Sequence, residues 1–175
     1  MSNVKDADGN TAAMRAAVEG NMAALKEQIA AGVDLNLKNN DGKTAAMLAA
    51  GSGNAEALKE MKRGPSLVNI ATADGGTPAM SACCHGKLEA LQVLIEMKAD
   101  LDIQDEDGWT ALMYAAVEGH AALVSAIVKA GANKNAKNVD GRTAADLAEQ
   151  RKYTEVIRAL SDPYAGEADL ANRPF

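Results

Sequence analysis

The stretch Asp107-Gly108-Trp109-Thr110-Ala111-Leu112-Met113-Tyr114-Ala115-Ala116 decides the fold, because its frame recurs at a constant step. Asp8, Asp41, Asp74, Asp107 and Asp140 are each followed by a glycine, and three residues on by Thr11, Thr44, Thr77, Thr110 and Thr143. The step is 33 residues every time. A period this strict means that one supersecondary unit has been stacked on itself.

Each unit carries the same local signals. The threonine precedes strong helix formers, as in Ala12-Ala13-Met14-Arg15-Ala16-Ala17, and reads as an N-cap. Gly20, Gly53, Gly86 and Gly119 close that helix, with Lys152 at the same place in the fifth unit. A second helix follows, with apolar residues at helical spacing such as Leu123, Val124, Ile127 and Val128, and ends at a glycine such as Gly32 or Gly131. A polar connector returns the chain to the next Asp-Gly. Asn36, Asn69, Asp102 and Asn135 keep step within it, and each is expected to hydrogen-bond the turn backbone of its own unit.

These units resemble ankyrin repeats, and Gly119-His120 and Gly131-Ala132-Asn133-Lys134-Asn135 follow that pattern closely. The resemblance covers about residues 5 to 160, in units near 5–37, 38–70, 71–103, 104–136 and 137–160, with residues 161–175 as a tail. It implies an all-α solenoid of five repeats: stacked antiparallel helix pairs with β-hairpin or loop fingers at about a right angle to them. The family's Thr-Pro-Leu-His histidine is replaced by Met14, Met47, Met80 and Met113, and by Asp146 in the last unit, so a flexible apolar ladder is expected there. Pro78 alone keeps the family's proline at the first helical position. The irregular Glu60-Met61-Lys62-Arg63-Gly64-Pro65-Ser66-Leu67 predicts a second outer helix shorter by one residue, with Pro65 stiffening the bend. The polar fifth unit reads as a terminal cap. Tyr164, Leu170 and Phe175 make the tail apolar enough to dock on that cap or to reach a partner.

Composition narrows the function. With 47% apolar residues but only 3% aromatic, the core has to be built from small, closely packed side chains. A net charge of -6 argues against nucleic acid, whose binding is driven by Lys and Arg neutralising phosphates, and slightly favours a partner with a basic contact patch. No apolar run approaches the roughly 20 residues that span a bilayer, so no membrane association is expected. Met1-Ser2-Asn3-Val4-Lys5 runs straight into Asp6 without an export segment. A cytoplasmic location follows as written; a periplasmic or exported one follows if a signal peptide has been removed.

The motifs of catalysis are missing: no Gly-x-x-x-x-Gly-Lys-Ser/Thr, no His-Glu-x-x-His, no Cys-x-x-Cys. A non-enzyme with no cofactor and no metal is expected. Cys83-Cys84-His85 is the one constellation that suggests a thiol or metal protein, but consecutive helical residues diverge by about 100° and cannot converge on one ion. The adjacent cysteines read as reduced thiols. Cys83 falls at a buried alanine position, whereas Cys84 and His85 fall near the groove and are candidates for partner contact.

The family resemblance implies that protein is bound on the concave surface formed by fingers and first helices. On the fingers this gives Lys38, Asn40, Asp41 and Lys43; Ala71, Ala73, Asp74 and Gly76; Gln104, Glu106, Asp107 and Trp109; and Lys137, Val139, Asp140 and Arg142. On the first helices Arg15, Leu48, Ser81, Tyr114 and Leu147 share one groove-lining position. Trp109 stands out as the only tryptophan, placed where the other units have Asn10, Lys43, Gly76 and Arg142. With Tyr114 it forms the expected interface anchor. Asp102, Asp105, Glu106 and Asp107 make its finger acidic, which attracts Lys or Arg on a partner. The expectation is a monomeric, non-catalytic module that binds a protein. A second reading, from small free-standing bacterial proteins of this kind, is an inhibitor or self-protection protein that occludes an enzyme's active site.

Overall fold

The computed structural model describes residues 3–62, 67–162 and 164. Among these the chain is helical, with ten helices in five pairs and one isolated bridge, Lys5 to Thr11, in place of strands. The inner row is α1 (Ala12–Glu19), α3 (Ala45–Ser52), α5 (Pro78–Cys84), α7 (Ala111–Val117) and α9 (Ala144–Arg151). The outer row is α2 (Met22–Ala30), α4 (Ala55–Met61), α6 (Leu88–Glu96), α8 (Ala121–Lys129) and α10 (Thr154–Ser161). Each helix packs on its partner in the unit and on its counterpart in the next unit. The all-α solenoid is therefore present, with fingers that are tight turns and not extended hairpins.

Close stacking depends on small side chains. Ala16, Ala17, Ala49, Ala50, Ala82, Ala115, Ala116 and Ala148 are buried along the inner row, and Leu25, Leu58, Leu91, Leu94, Val124 and Ile127 fill the layer beneath. The approach is tight enough that a Cβ on Gly51 would lie 2.7 Å from Ser81 Oγ, which itself donates to the Met47 carbonyl at 3.1 Å. Leu147, expected in the groove, is instead buried in this core.

The inner helices begin as the threonines predict. Thr11, Thr44, Thr77, Thr110 and Thr143 each accept a hydrogen bond from the backbone N–H three residues on. The methionines correct the apolar-ladder expectation. Met14, Met47 and Met80 turn their sulfurs back to accept from the cap threonine's N–H at 3.4–3.5 Å, closing a capping box with a thioether. In the fifth unit Asp146 does the same with a carboxylate, at 2.7 Å. The chain thus keeps one cap geometry with two acceptors of different strength.

At the far end of the inner helix the left-handed turn appears at Gly53 with φ of 83°, and Lys152 accepts the same conformation with φ of 60°. The residue that follows reaches back to the preceding unit: Asn54 Nδ2 donates to the Ala17 carbonyl at 2.8 Å, and the rings of His120 and Tyr153 lie against Gly86 and Gly119. Those rings are thereby accounted for as packing between units. The connector residues also act between units. Asn69 and Asp102 accept from the backbones of Asp100 and Asn133 in the next unit, at 2.9 and 2.8 Å, and the own-turn role falls to Asp34, Asp100 and Asn133. α4 has seven residues against nine in α2, α6 and α8, a difference of two and not one. Arg63, Gly64, Pro65 and Ser66 lie outside the described residues, as do Leu170 and Phe175 of the tail. Tyr164 is exposed, with Lys129 Nζ 4.8 Å from its ring centre.

Two measurements probe the caps. Thr44→Val should lower stability by about 1 kcal/mol, seen as an earlier urea midpoint with an unchanged slope. At Asp146 the Thr143 backbone N–H and hydroxyl hold the carboxylate below the ordinary aspartate value of 3.8. Its stabilising effect is therefore present above that value and is lost as pH falls through the folded-state pKa. Asp146→Asn should be less stable than the parent at neutral pH, and the gap should close as the pH falls through the lowered folded-state pKa.

Candidate functional site

The fingers are spaced by hydrogen bonds at the repeat step. Within each finger the glycine N–H closes a turn, as Gly75 does on Thr72 and Gly108 on Asp105. Between fingers Asn40, Glu106 and Val139 donate backbone N–H bonds to Asp8, Asp74 and Asp107 at 2.9–3.0 Å. Side chains repeat the pattern: Lys5 Nζ to the Lys38 carbonyl, Lys38 Nζ to Ala71, and Gln104 Nε2 to Lys137. A Cβ on Gly108, whose φ is 75°, would come within 2.9 Å of Asn138 Cα, so only glycine lets these fingers lie so close. The surface is consequently a stiff comb. Lys38 and Gln104, expected to meet a partner, are engaged in building it.

The fourth finger is organised by Asp105. Its Oδ1 accepts from the backbone N–H of Asp107 at 3.1 Å and of Trp109 at 2.8 Å, and its Oδ2 accepts from the Tyr114 hydroxyl at 2.6 Å. The Trp109 and Tyr114 rings meet with centroids 5.3 Å apart, tilted by 42°. Trp109 is half-buried against the core and is not a freely exposed ring. Burial, and then the Asp105 carboxylate, push the Tyr114 phenol well above its ordinary range, so it remains a neutral donor. Asp105 is thus taken up by structure, and the exposed acidic residues of this finger are Asp102, which also accepts from the Asn133 backbone, Glu106 and Asp107.

Beside this pair a bay of about 280 Å³ opens between the fingers and the inner helices. Of the sequence-predicted residues it brings together Asp41, Lys43, Asp74, Gly76, Ser81, Cys84, His85 and Tyr114, and adds Thr72, Met47, Thr77 and Met80. Thr72 donates its hydroxyl to Asp74, which together with backbone N–H groups and the charge of Lys43 keeps that carboxylate below its ordinary range. His85 holds the Ser81 carbonyl through Nδ1 at 2.8 Å. Arg142 lies apart, pairing with Asp140 at 3.5 Å and Gln150 at 3.0 Å. A second bay of about 390 Å³, lined by Asp8, Asn10, Arg15, Val18 and Glu19 among others, lies toward the N-terminal end.

The cysteines face apart, with Cys83 buried and Cys84 exposed. Burial raises both thiols, and Glu118 adds to the rise at Cys84, so neither is an activated nucleophile. Among the described residues no three of His, Cys, Asp and Glu gather as metal ligands.

Sequence reasoning overlooked one position at the start of each finger: Asp6, Asn39, Asp105 and Asn138 accept there from the backbone N–H four residues on, whereas Thr72 donates its hydroxyl within its own finger. The signal was available, since all five have oxygen-bearing side chains at the repeat step. One member is left incomplete. Asn39 Nδ2 donates to Asn10 Oδ1 in the preceding finger, but Trp109 stands where Asn10 stood and offers no oxygen, so buried Asn138 Nδ2 has no hydrogen-bond partner. The tryptophan is present at a cost to the comb, typically about 1–3 kcal/mol for an unpaired buried donor.

Tyr114→Phe removes the bond to Asp105 while keeping the ring. The expected outcome is a loss of about 1 kcal/mol in urea unfolding, a shift in Trp109 fluorescence, and disappearance of one late-ionising phenol from the alkaline absorbance titration.

A family model of ankyrin repeats, three copies long, matches residues 13–105 and again residues 80–172. No curated protein matches the chain. With five phased repeats, capped inner helices and a ladder of fingers spanned by those matches, the chain belongs to the ankyrin-repeat family, whose repeats are generally protein–protein interaction modules and typically non-catalytic.

Proposed function

We propose that this protein binds a protein partner on its concave face, centred on the third and fourth units, with the Trp109 and Tyr114 pair as its anchor. The observation that carries this reading is that Asp105 holds the Tyr114 hydroxyl and the Trp109 backbone N–H, with the two rings in contact, next to an open bay. Aromatic side chains held in place before binding add contact area with little further loss of rotamer entropy. The unpaired amide of Asn138 supports the same reading, because a tryptophan that strains its own scaffold is better explained by what it contacts than by folding. Glu106 and Asp107 on the neighbouring tip, with Asp41 and Asp74 beside the bay, favour a partner that brings positive charge and speed its approach.

Immobilised protein should capture its partner from a lysate of the source cells, identified by mass spectrometry. Trp109→Ala should then weaken capture by about 2 kcal/mol, some 30-fold, with helical content preserved by circular dichroism. Lys26→Ala, on an outer helix, should leave affinity unchanged. Equal affinity for the Trp109 variant and the parent would remove the anchor. If the partner is an enzyme, its turnover in the complex decides between inhibition and simple adaptation.

A further inference from the structure

The bay beside Tyr114 is lined by a third unit that has small residues at two positions where the other units carry larger ones. Where the other units carry Asn10, Lys43, Trp109 and Arg142 on the finger, this one has Gly76. Where they carry Arg15, Leu48, Tyr114 and Leu147 on the inner helix, it has Ser81. Gly76 is not among the glycines with a left-handed φ, so its backbone does not call for glycine. What it does is leave space: a Cβ there would lie 2.8 Å from Thr72 Oγ1, the hydroxyl that orients Asp74.

The resulting socket has a flat wall, the Tyr114 ring, held by Asp105 and Trp109. It has a carboxylate at the mouth, Asp74, kept ionised, and a second, Asp41, on the adjacent finger. Lys43 is the one cation lining it and balances only one of the two. Behind the wall stands Asp105, and Glu118 bears on Cys84 at the floor, so the field within is negative. The space of about 280 Å³ is open toward solvent and lies between two fingers and the inner helices. It suits one long side chain.

We propose that this socket receives an arginine side chain of the protein partner, its guanidinium lying against the Tyr114 ring and pairing with Asp74. Arginine fits better than lysine on chemical grounds. Its planar, weakly hydrated head stacks on an aromatic face and presents two parallel donors to one carboxylate, whereas an ammonium is a compact, strongly hydrated point charge. This deepens the proposed function and rests on it, because it assumes that the partner is a protein.

The test uses the full chain labelled with ¹⁵N and the peptide acetyl-Gly-Arg-Gly-amide, with the lysine, citrulline and glutamate peptides as comparisons. The arginine peptide should give saturable shifts of the Gly76, Ser81 and Tyr114 amides. The lysine peptide should bind more weakly, and the citrulline peptide, with the same shape and no charge, should give no saturable shift. Asp74→Asn, which retains an acceptor for Thr72, should weaken arginine binding about fivefold. Lys43→Ala should strengthen it, and Ser81→Arg, which puts a bulky cation at a position lining the socket, should abolish it. Saturable binding of citrulline or glutamate equal to that of arginine, or no effect of Asp74→Asn and Ser81→Arg, would overturn the proposal. A flat arginine titration with Trp109-dependent partner capture intact would sink the socket alone and leave the binding surface standing.

Discussion

The concave face is held by hydrogen bonds between neighbouring fingers: the backbone N–H groups of Asn40, Glu106 and Val139 donate to carbonyls of the preceding finger, and Lys38 Nζ links the second finger to the Ala71 carbonyl of the third. In a linear solenoid no contact links distant units, so a site that spans two units is only as well defined as the interface between them. Here that interface is doubly specified. Alanine-lined inner helices set the distance, and the finger bonds, with Lys5, Lys38 and Gln104 as side-chain rungs, set the register. The bay beside Tyr114 inherits its geometry from both, since Asp41, Asp74 and Tyr114 come from three successive units.

A repeat that satisfied every local rule would present a uniform face. Recognition is created where units depart from one another, and each departure has a physical counterpart nearby. Trp109 replaces an oxygen-bearing side chain, and Asn138 loses its acceptor. Gly76 and Ser81 replace larger residues, and space appears against the next unit's ring. Asp105 fills the finger-capping position with the one residue type that can cap its turn and still present a charged oxygen to a tyrosine hydroxyl. These departures fall together in the third and fourth units, where the proposed binding surface lies, while the fifth unit carries a carboxylate cap at Asp146.

The methionines show a milder version of the same logic. A thioether is a weak acceptor, yet in three units its sulfur reaches the cap N–H that Asp146 serves with a full carboxylate. An apolar body with a soft polar atom can enter the packed inner row, which a carboxylate could do only at the price of desolvation. The carboxylate stands in the fifth unit, where Asp146 is exposed.

Much of this was legible in the order of residues. The step of 33, the threonine caps, the glycine turns and the terminal cap are local features, each read from a few neighbouring positions, and stacking follows from repetition. The sequence likewise marked Trp109 as the residue that breaks the pattern, and placed Cys84 and His85 beside the groove. It did not reveal that Gln104 and Lys38 are spent between fingers, that Asn69 and Asp102 serve the following unit, or that Leu147 turns into the core. Nor did it show that Asp105 ties Trp109 to Tyr114. Those facts concern pairs of residues nine to 33 positions apart, and such pairs are decided by how one unit leans on the next. Periodicity determined that there is a ladder; only the tertiary structure decided which side chains became rungs and which stayed outside it.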